Sequence, residues 1–284
     1  MMEPFIWNSI DQSLQKFELG SFQRLLSEVS AGFTGRNGGA SKPPYSSLNL
    51  AYHVGDDPSD VLENRKRLMD SLGFEHGSWT CGEQVHGHHV AVVRDEHKGK
   101  GYYDRESAFQ NTDALVTNVP GILLTSFYAD CVPLYFLDPV NKAVGLAHAG
   151  WKGTVQAIAE EVVAVMEREY GSKRTEIYGA IGPSIGACCY EVDEFVMEKA
   201  RAVIRGISGE VATSNIDSPS QHNEKTMLNL KELNRIIMIK AGILPTHIEC
   251  TSWCTSCHSD YFYSYRKEGG VTGRMASWIG LKER

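Results

Sequence analysis

Four stretches of the chain place apolar residues at helical spacing. The first covers 59–72, with Asp60 and Glu63 as a capping pair and Gly73 as its stop. The second follows Thr154, where Val155, Ile158, Val162, Val165 and Met166 form one apolar face and Gly171 ends it. The third covers 192–204, with Phe195, Val196, Ala200 and Val203 on one side. The fourth begins at an Asn229 cap backed by Glu232; Leu230, Leu233, Ile236 and Ile237 line its face, and Gly242 and Pro245 close it. Between the helices, β-branched and aromatic runs predict strands at 89–93, 114–117, 122–127, 143–147 and 176–181, with late strands at 262–265 and 276–279. Segments 35–47, 95–111 and 207–225 read as loops, the last rich in Ser, Asn, Asp and Gln and suited to either a lid or an insertion. This order is neither a strict βαβ alternation nor an all-β pattern. It predicts an α+β sandwich, with outer helices on a mixed-sheet core, in one domain over 1–284.

Composition bounds the reading. With 284 residues and 42 % hydrophobic side chains, one large core can form without a disulfide or metal to hold it. A net charge of -7 makes a poor partner for nucleic-acid phosphates. The N-terminal residues lack a basic segment followed by an apolar run, and the longest apolar stretch, 121–136, is broken by Asp130 and Pro133. The expectation is a cytoplasmic protein, a monomer or weak homo-oligomer, that acts on a small molecule and binds neither membrane nor nucleic acid. Seven cysteines, an odd count, then read as thiols, metal ligands or nucleophiles.

Chemistry concentrates in three short segments: Gln84-Val85-His86-Gly87, Ala129-Asp130-Cys131-Val132-Pro133 and Ala147-His148-Ala149-Gly150-Trp151. Each puts an imidazole or thiol at the end of a predicted strand, beside Gly or Pro, where a rigid scaffold can aim it. Zinc accepts both donor types, and three protein ligands leave a fourth position open. Spacing alone leaves alternatives. His148 reads equally as a buried histidine bonded to a carbonyl, and Cys131 as a small buried hydrophobe. Cys131 with His148 also suits a cysteine-hydrolase pair.

Longer blocks add a resemblance. Thr125 to Pro133, Gly145 to Thr154, Ala180 to Gly186, Cys188 to Val192, Gly32 to Gly39, Ser46 to Leu50, Phe262 to Arg266 and Thr272 to Arg274 together resemble the YfiH/YlmD family over nearly the whole chain. The resemblance implies a layered α-β-β-α sandwich similar to the catalytic domain of cytotoxic necrotizing factors. It implies zinc on His86, Cys131 and His148, with copper able to take the same site. It also implies phosphorolysis of adenosine, inosine or methylthioadenosine and deamination of adenosine. The family's other names suggest a laccase-like copper polyphenol oxidase or a hydrolase editing a peptidoglycan precursor, and a non-catalytic zinc-binding partner protein is a further alternative.

Those reactions need a proton carrier and an anion site. Asp130, next to a ligand, is the expected proton carrier, its alternative being to orient a ligating histidine. Arg36, within Gly35-Arg36-Asn37-Gly38-Gly39, is the expected phosphate contact, because glycines let amides approach an anion and arginine grips it bidentately. Asn49 is expected on sugar or phosphate, with Lys152 and Arg274 as further anion contacts. Three signals stand apart. Cys254-Thr255-Ser256-Cys257-His258 has the form of a haem-attachment sequence, without an export signal. Cys250, Cys254, Cys257 and His258 offer the donors of a zinc knuckle, but adjacent Cys257 and His258 share a site awkwardly and no second CxxC is present. Reduced thiols are the expected state there, and Cys188-Cys189 is expected to be buried beside the metal pocket.

Overall fold

A computed structural model describes residues 3–7, 14–205, 216–221 and 225–283. Most of the 207–225 segment therefore lies outside the described residues. One sheet contains β1 (Phe5–Trp7), β2 (Lys16–Leu19), β3 (Val29–Thr34), β4 (Trp79–Cys81), β7 (Leu123–Tyr128) and β15 (Met275–Leu281), in the order β1-β2-β3-β15-β7-β4. The second contains β5 (Val90–Val92), β6 (Ala114–Thr117), β8 (Val132–Asp138), β9 (Ala143–Ala149), β10 (Tyr178–Ile181) and β14 (Ile248–Cys250), in the order β14-β10-β8-β9-β6-β5. A small third sheet joins β11 (Glu191–Asp193), β12 (Asp217–Pro219) and β13 (Lys225–Leu228). Pairing is mostly antiparallel, with parallel pairs β4–β7, β5–β6 and β10–β14, so the sheets are mixed as the sequence predicts.

The layers follow from period-two alternation on strands buried on both faces. In β8, Tyr135 and Leu137 point between the two large sheets, while Val132, Leu134 and Phe136 point outward. In β9, Val144 and Leu146 point between the sheets and Ala147 and Ala149 outward. The outer face of the second sheet is covered by α4 (Ile158–Tyr170) and α6 (Leu230–Lys240), while α5 (Glu194–Val203) packs on the small third sheet and extends the same core. The outer face of the first is covered by α2 (Pro58–Leu72), whose Leu68, Met69 and Leu72 pack on Trp79, Leu123 and Trp278. The result is the α-β-β-α sandwich. Two short helices, α1 (Gly20–Leu25) and α3 (Trp151–Val155), complete the described set. None of the described helices is long and apolar enough to cross a membrane.

Caps explain where the helices begin. The cap of α2 is Asp57, whose carboxylate accepts from the Ser59 amide at 2.9 Å with Pro58 as the first helical residue; the Asp60–Glu63 pair does not cap it. Asn229 caps α6 through the Glu232 amide at 3.1 Å. The third helix begins later than predicted because 191–193 pairs as β11, and Asp193 then caps α5. The second divides into α3 and α4 at Ala157, whose φ of 57° interrupts the helix. One strand expectation needs correction. Residues 262–265 are a turn: the Phe262 amide returns to the His258 carbonyl at 3.0 Å, and Phe262 and Tyr263 enter the inter-sheet core as loop residues. Conversely, 132–138 is a full strand despite Pro133.

Candidate metal centre

The three chemical segments meet at one end of the inter-sheet layer. Cys131 occupies the turn between β7 and β8. His148 lies in β9 opposite Pro133 of β8. His86 lies in the loop after β4, which Gln84 fastens to Phe127 through Nε2 on the carbonyl (3.0 Å) and Oε1 on the amide (2.8 Å). One ligand atom from each of His86, Cys131 and His148 lies within 4.8 Å of the others, and the two imidazole rings are 4.9 Å apart between centroids. His148 is buried, Cys131 half-buried and His86 exposed, so the cluster is closed on the protein side and open on the other.

Asp113 organises this cluster, and the sequence reading missed it. The pairing of Ala114 with Ala147 brings it beside His148, whose own amide donates to the Asp113 carbonyl at 2.8 Å. Its Oδ1 accepts from His148 Nδ1 (2.9 Å) and the His86 amide (3.0 Å). Its Oδ2 accepts from the amides of Val85 (3.2 Å) and Gly87 (2.8 Å). The bond at Nδ1 leaves His148 Nε2 as the free donor toward Cys131, the usual device for fixing the tautomer of a metal-ligating histidine. The amide bonds hold His86 at φ 61°, and Asp130, at φ 90°, is a second non-glycine residue in this region of φ beside the site.

Electrostatics follow from this packing. Burial pushes the Cys131 thiol up, but the His148 and His86 imidazoles outweigh it and bring the pKa down to about 6. Burial pushes His148 down, but the Cys131 thiolate and Asp113 raise it to about 9. Without an ion the pair is thiolate and imidazolium. The donor set suits a borderline transition-metal ion, since thiolate and imidazole both bind zinc and copper. Gly150 supplies the room: a Cβ there would lie 2.9 Å from His86 Cδ2 and 3.1 Å from Cys131 Sγ.

A cavity of about 270 Å³ opens from the cluster, lined by His86, Asp130, Cys131, Trp151, Lys152 and Tyr190 among others. That is near the lower end of the roughly 300–1,000 Å³ typical of small-molecule sites. Asp130 is on this wall. Its Oδ1 accepts from Thr255 Oγ1 (2.6 Å), and its Oδ2 from Ser264 Oγ (3.1 Å) and the Arg266 amide (2.7 Å). The carboxylate that orients a ligating histidine is thus that of Asp113. Lys152 lies on the wall with its Nζ 5.9 Å from the Trp151 ring.

The other expected anion contacts are placed elsewhere. Arg36 is outside the cavity lining; its Nη1 donates to Glu268 Oε1 (2.9 Å) and the Ser259 carbonyl (3.0 Å), and the guanidinium covers the Tyr263 ring. Asn49 is fully buried, donating to Asp56 Oδ2 (2.9 Å) and the Ala51 carbonyl (3.1 Å) and accepting from the Arg274 amide (2.9 Å). It holds the loop together and offers no open group to a sugar. Arg274 donates Nη1 to the carbonyls of Thr272 (2.7 Å) and Gly273 (3.0 Å). Burial lowers its pKa, and the Cys131 thiolate acts in the opposite direction. The cysteine expectations also change. Cys188 is exposed and Cys189 half-buried, and both sulfurs face Cys257, not the cavity.

Fold and site together define a layered sandwich protein with a three-donor candidate metal centre open to a cavity. The chain belongs to the YfiH/YlmD family: residues 30–282 match the family model described as multi-copper polyphenol oxidoreductase laccase. It is 42% identical over 256 residues to the purine nucleoside phosphorylase YlmD of Bacillus subtilis, covering 90% of each chain. The crystal structure of YlmD from Geobacillus stearothermophilus is similar at a TM-score of 0.90 and 38% identity, over 99% of this chain and 100% of that one. That of the hypothetical protein YfiH from Bacillus licheniformis is similar at 0.89 and 39%, over 98% and 99%.

Proposed function

We propose that this chain is a zinc-dependent purine nucleoside phosphorylase that also deaminates adenosine. The observation that carries the reading is the three-donor cluster at the base of a cavity walled by two aromatic residues, Trp151 and Tyr190. Relatives that share nearly the full chain length bear the name purine nucleoside phosphorylase, which supports the substrate class. His86, Cys131 and His148 hold the ion. Zinc, when bound, supplies Lewis acidity and activates water near neutral pH. Copper competes for the same donors, and the family model's name is consistent with that.

The chain's own residues do the rest. Trp151 and Tyr190 offer faces to a planar purine. Lys152, exposed at the rim, draws phosphate toward the ribose carbon that is attacked. Asp130 already accepts three hydrogen bonds, so of the roughly four acceptor positions on a carboxylate one remains to take or return a proton. Asp113 keeps the imidazole of His148 aimed and holds the proton on Nδ1, so that Nε2 is the nitrogen that gives up its proton to the ion. Arg36 and Asn49 act through the loops they fasten.

The test is incubation of the zinc-loaded protein with adenosine, with and without phosphate, followed by chromatographic separation of products. Adenine with ribose 1-phosphate, formed only when phosphate is present, supports phosphorolysis, and inosine supports deamination. No purine turnover in either mixture contradicts the reading.

A further inference from the structure

A second donor cluster lies outside the cavity. The sulfurs of Cys188, Cys189, Cys254 and Cys257 all lie within 4.8 Å of one another. Cys257 Sγ is 3.4 Å from both Cys188 Sγ and Cys189 Sγ. A tetrahedral site with metal–sulfur bonds near 2.3 Å has sulfur–sulfur edges of about 3.8 Å, so the cage has the right size for one ion. This is not the knuckle that the sequence offers. Among the described residues, Cys250 and His258 are absent from the cluster, and the second pair of donors comes from a segment more than sixty residues earlier.

The backbone explains how adjacent cysteines aim at one point. The amides of Cys189 and Tyr190 both return to the Gly186 carbonyl at 3.0 Å, reversing the chain between Gly186 and Tyr190. The Gly186 amide points at Cys254 Sγ from 3.2 Å. A Cβ on Gly186 would lie 3.3 Å from Cys188 Sγ and 3.4 Å from Cys254 Sγ, so glycine keeps the cage clear. A second observation concerns charge. Lys231 is buried, and its ammonium donates to the carbonyls of Thr251 (3.1 Å) and Trp253 (2.8 Å), neither of which neutralises it. Burial lowers the Lys231 pKa, and negative charge at Cys250, Cys254, Glu3 and Cys188 acts in the opposite direction; four thiolates around a divalent ion, with a net charge of about −2, would add to that support.

We propose that Cys188, Cys189, Cys254 and Cys257 form a closed tetrathiolate site for one zinc ion, structural in role and separate from the cluster at His86, Cys131 and His148. Four thiolates select zinc among available divalent ions and leave no position for substrate. The site cross-links two segments that carry the cavity wall. Ile185 and Tyr190 line the cavity beside Gly186, while Thr255, next to Cys254, donates its amide to the Ser184 carbonyl (3.0 Å) and its hydroxyl to Asp130. The ion holds that wall against Asp130 from behind.

The experiment is metal stoichiometry on the full chain, loaded with zinc under reducing, oxygen-free conditions and measured by plasma mass spectrometry. Two ions per chain are expected, falling to one in Cys131→Ala and to one in Cys254→Ser/Cys257→Ser. Cobalt loading of the Cys131→Ala variant should give the intense sulfur-to-cobalt absorption of several thiolates. Should the double variant fail to fold, Cys188→Ser at an exposed position is expected to bind the second zinc about tenfold or more weakly. One ion per chain in the unmodified protein, two ions unaffected by the Cys188, Cys254 and Cys257 substitutions, or an intact mass showing disulfides between these cysteines would each overturn the proposal. None of these readouts depends on purine turnover.

Discussion

Replacing Asp113 by asparagine removes one of two oxygens on which four N–H groups converge. His148 Nδ1 and the His86 amide share Oδ1; the Val85 and Gly87 amides share Oδ2. Asparagine is nearly isosteric, but one oxygen becomes an NH2. Whichever way the amide turns, that NH2 faces two donors. Each buried donor left unsatisfied costs about 1–3 kcal/mol, so after some relaxation the metal-free variant should lose about 2–4 kcal/mol of stability. With the new NH2 against Val85 and Gly87, His86 loses the amide contacts that hold it at φ 61°. Turned the other way, His148 is driven toward the tautomer protonated at Nε2, the nitrogen that must bind metal. Either orientation weakens the centre by about 10–100-fold, or about 1.4–2.7 kcal/mol. Zinc affinity is read by competition with a chromophoric chelator, and stability by urea titration of the metal-free protein. A folded Asp113→Asn variant with unchanged zinc affinity would refute the argument that this carboxylate positions the ligands.

Cys131→Ser should lose metal and purine turnover while its melting temperature stays close to that of the metal-free parent; unfolding of the parent on chelation of this centre alone would contradict that. Gly150→Ala keeps an ordinary backbone (φ -66°, ψ 170°) but puts a methyl 3.1 Å from Cys131 Sγ, so zinc affinity should fall at least about tenfold with little change in stability; normal zinc binding would count against the placement of the ion. Zinc must displace the His148 proton while Cys131 is already a thiolate, so affinity should rise about tenfold per pH unit between about 6 and about 9 and flatten above, and below about 6 the slope should steepen as Cys131 also protonates. Calorimetry in two buffers of different ionisation enthalpy should find about one proton released per ion in that window, and pH-independent affinity there would sink the thiolate–imidazolium assignment. Lys152→Ala should raise KM for phosphate about tenfold, the lower end of what a charge-assisted hydrogen bond contributes, with KM for adenosine little altered; the reverse pattern would move the anion site elsewhere.

The helices were legible because their signals are local: the Asn229 cap stands directly before the apolar stripe of α6, and the Gly171 stop directly after that of α4. The 132–138 strand was hidden by Pro133, which argues against a central strand unless the partner geometry is known. Aromatic residues at 262–265 imitated a strand although they enter the core from a turn. The three metal donors could be named from the family resemblance, whereas their spacing alone left them open, because β7, β8 and β9 bring together residues far apart in the chain. Asp113 was missed for the same reason, since its relation to His148 exists only through the β6–β9 register. The glycines around Arg36 suggested an anion cradle, but they mark close packing: a Cβ on Gly35 would strike Gln15 and one on Gly39 the Ser47 carbonyl. The four-cysteine cluster was out of reach because its halves, 188–189 and 254–257, meet only in the folded chain, where Ser184 bridges to Cys254 and the Gly186 amide points at the Cys254 sulfur.

Anomalous diffraction at the zinc edge, from crystals grown with zinc, tests the centre most directly. The expected result is a peak between the His86 and His148 imidazoles and the Cys131 sulfur, with its remaining side facing the cavity. A vacant position there at full zinc loading, or a fourth side chain capping the ion, would contradict the account.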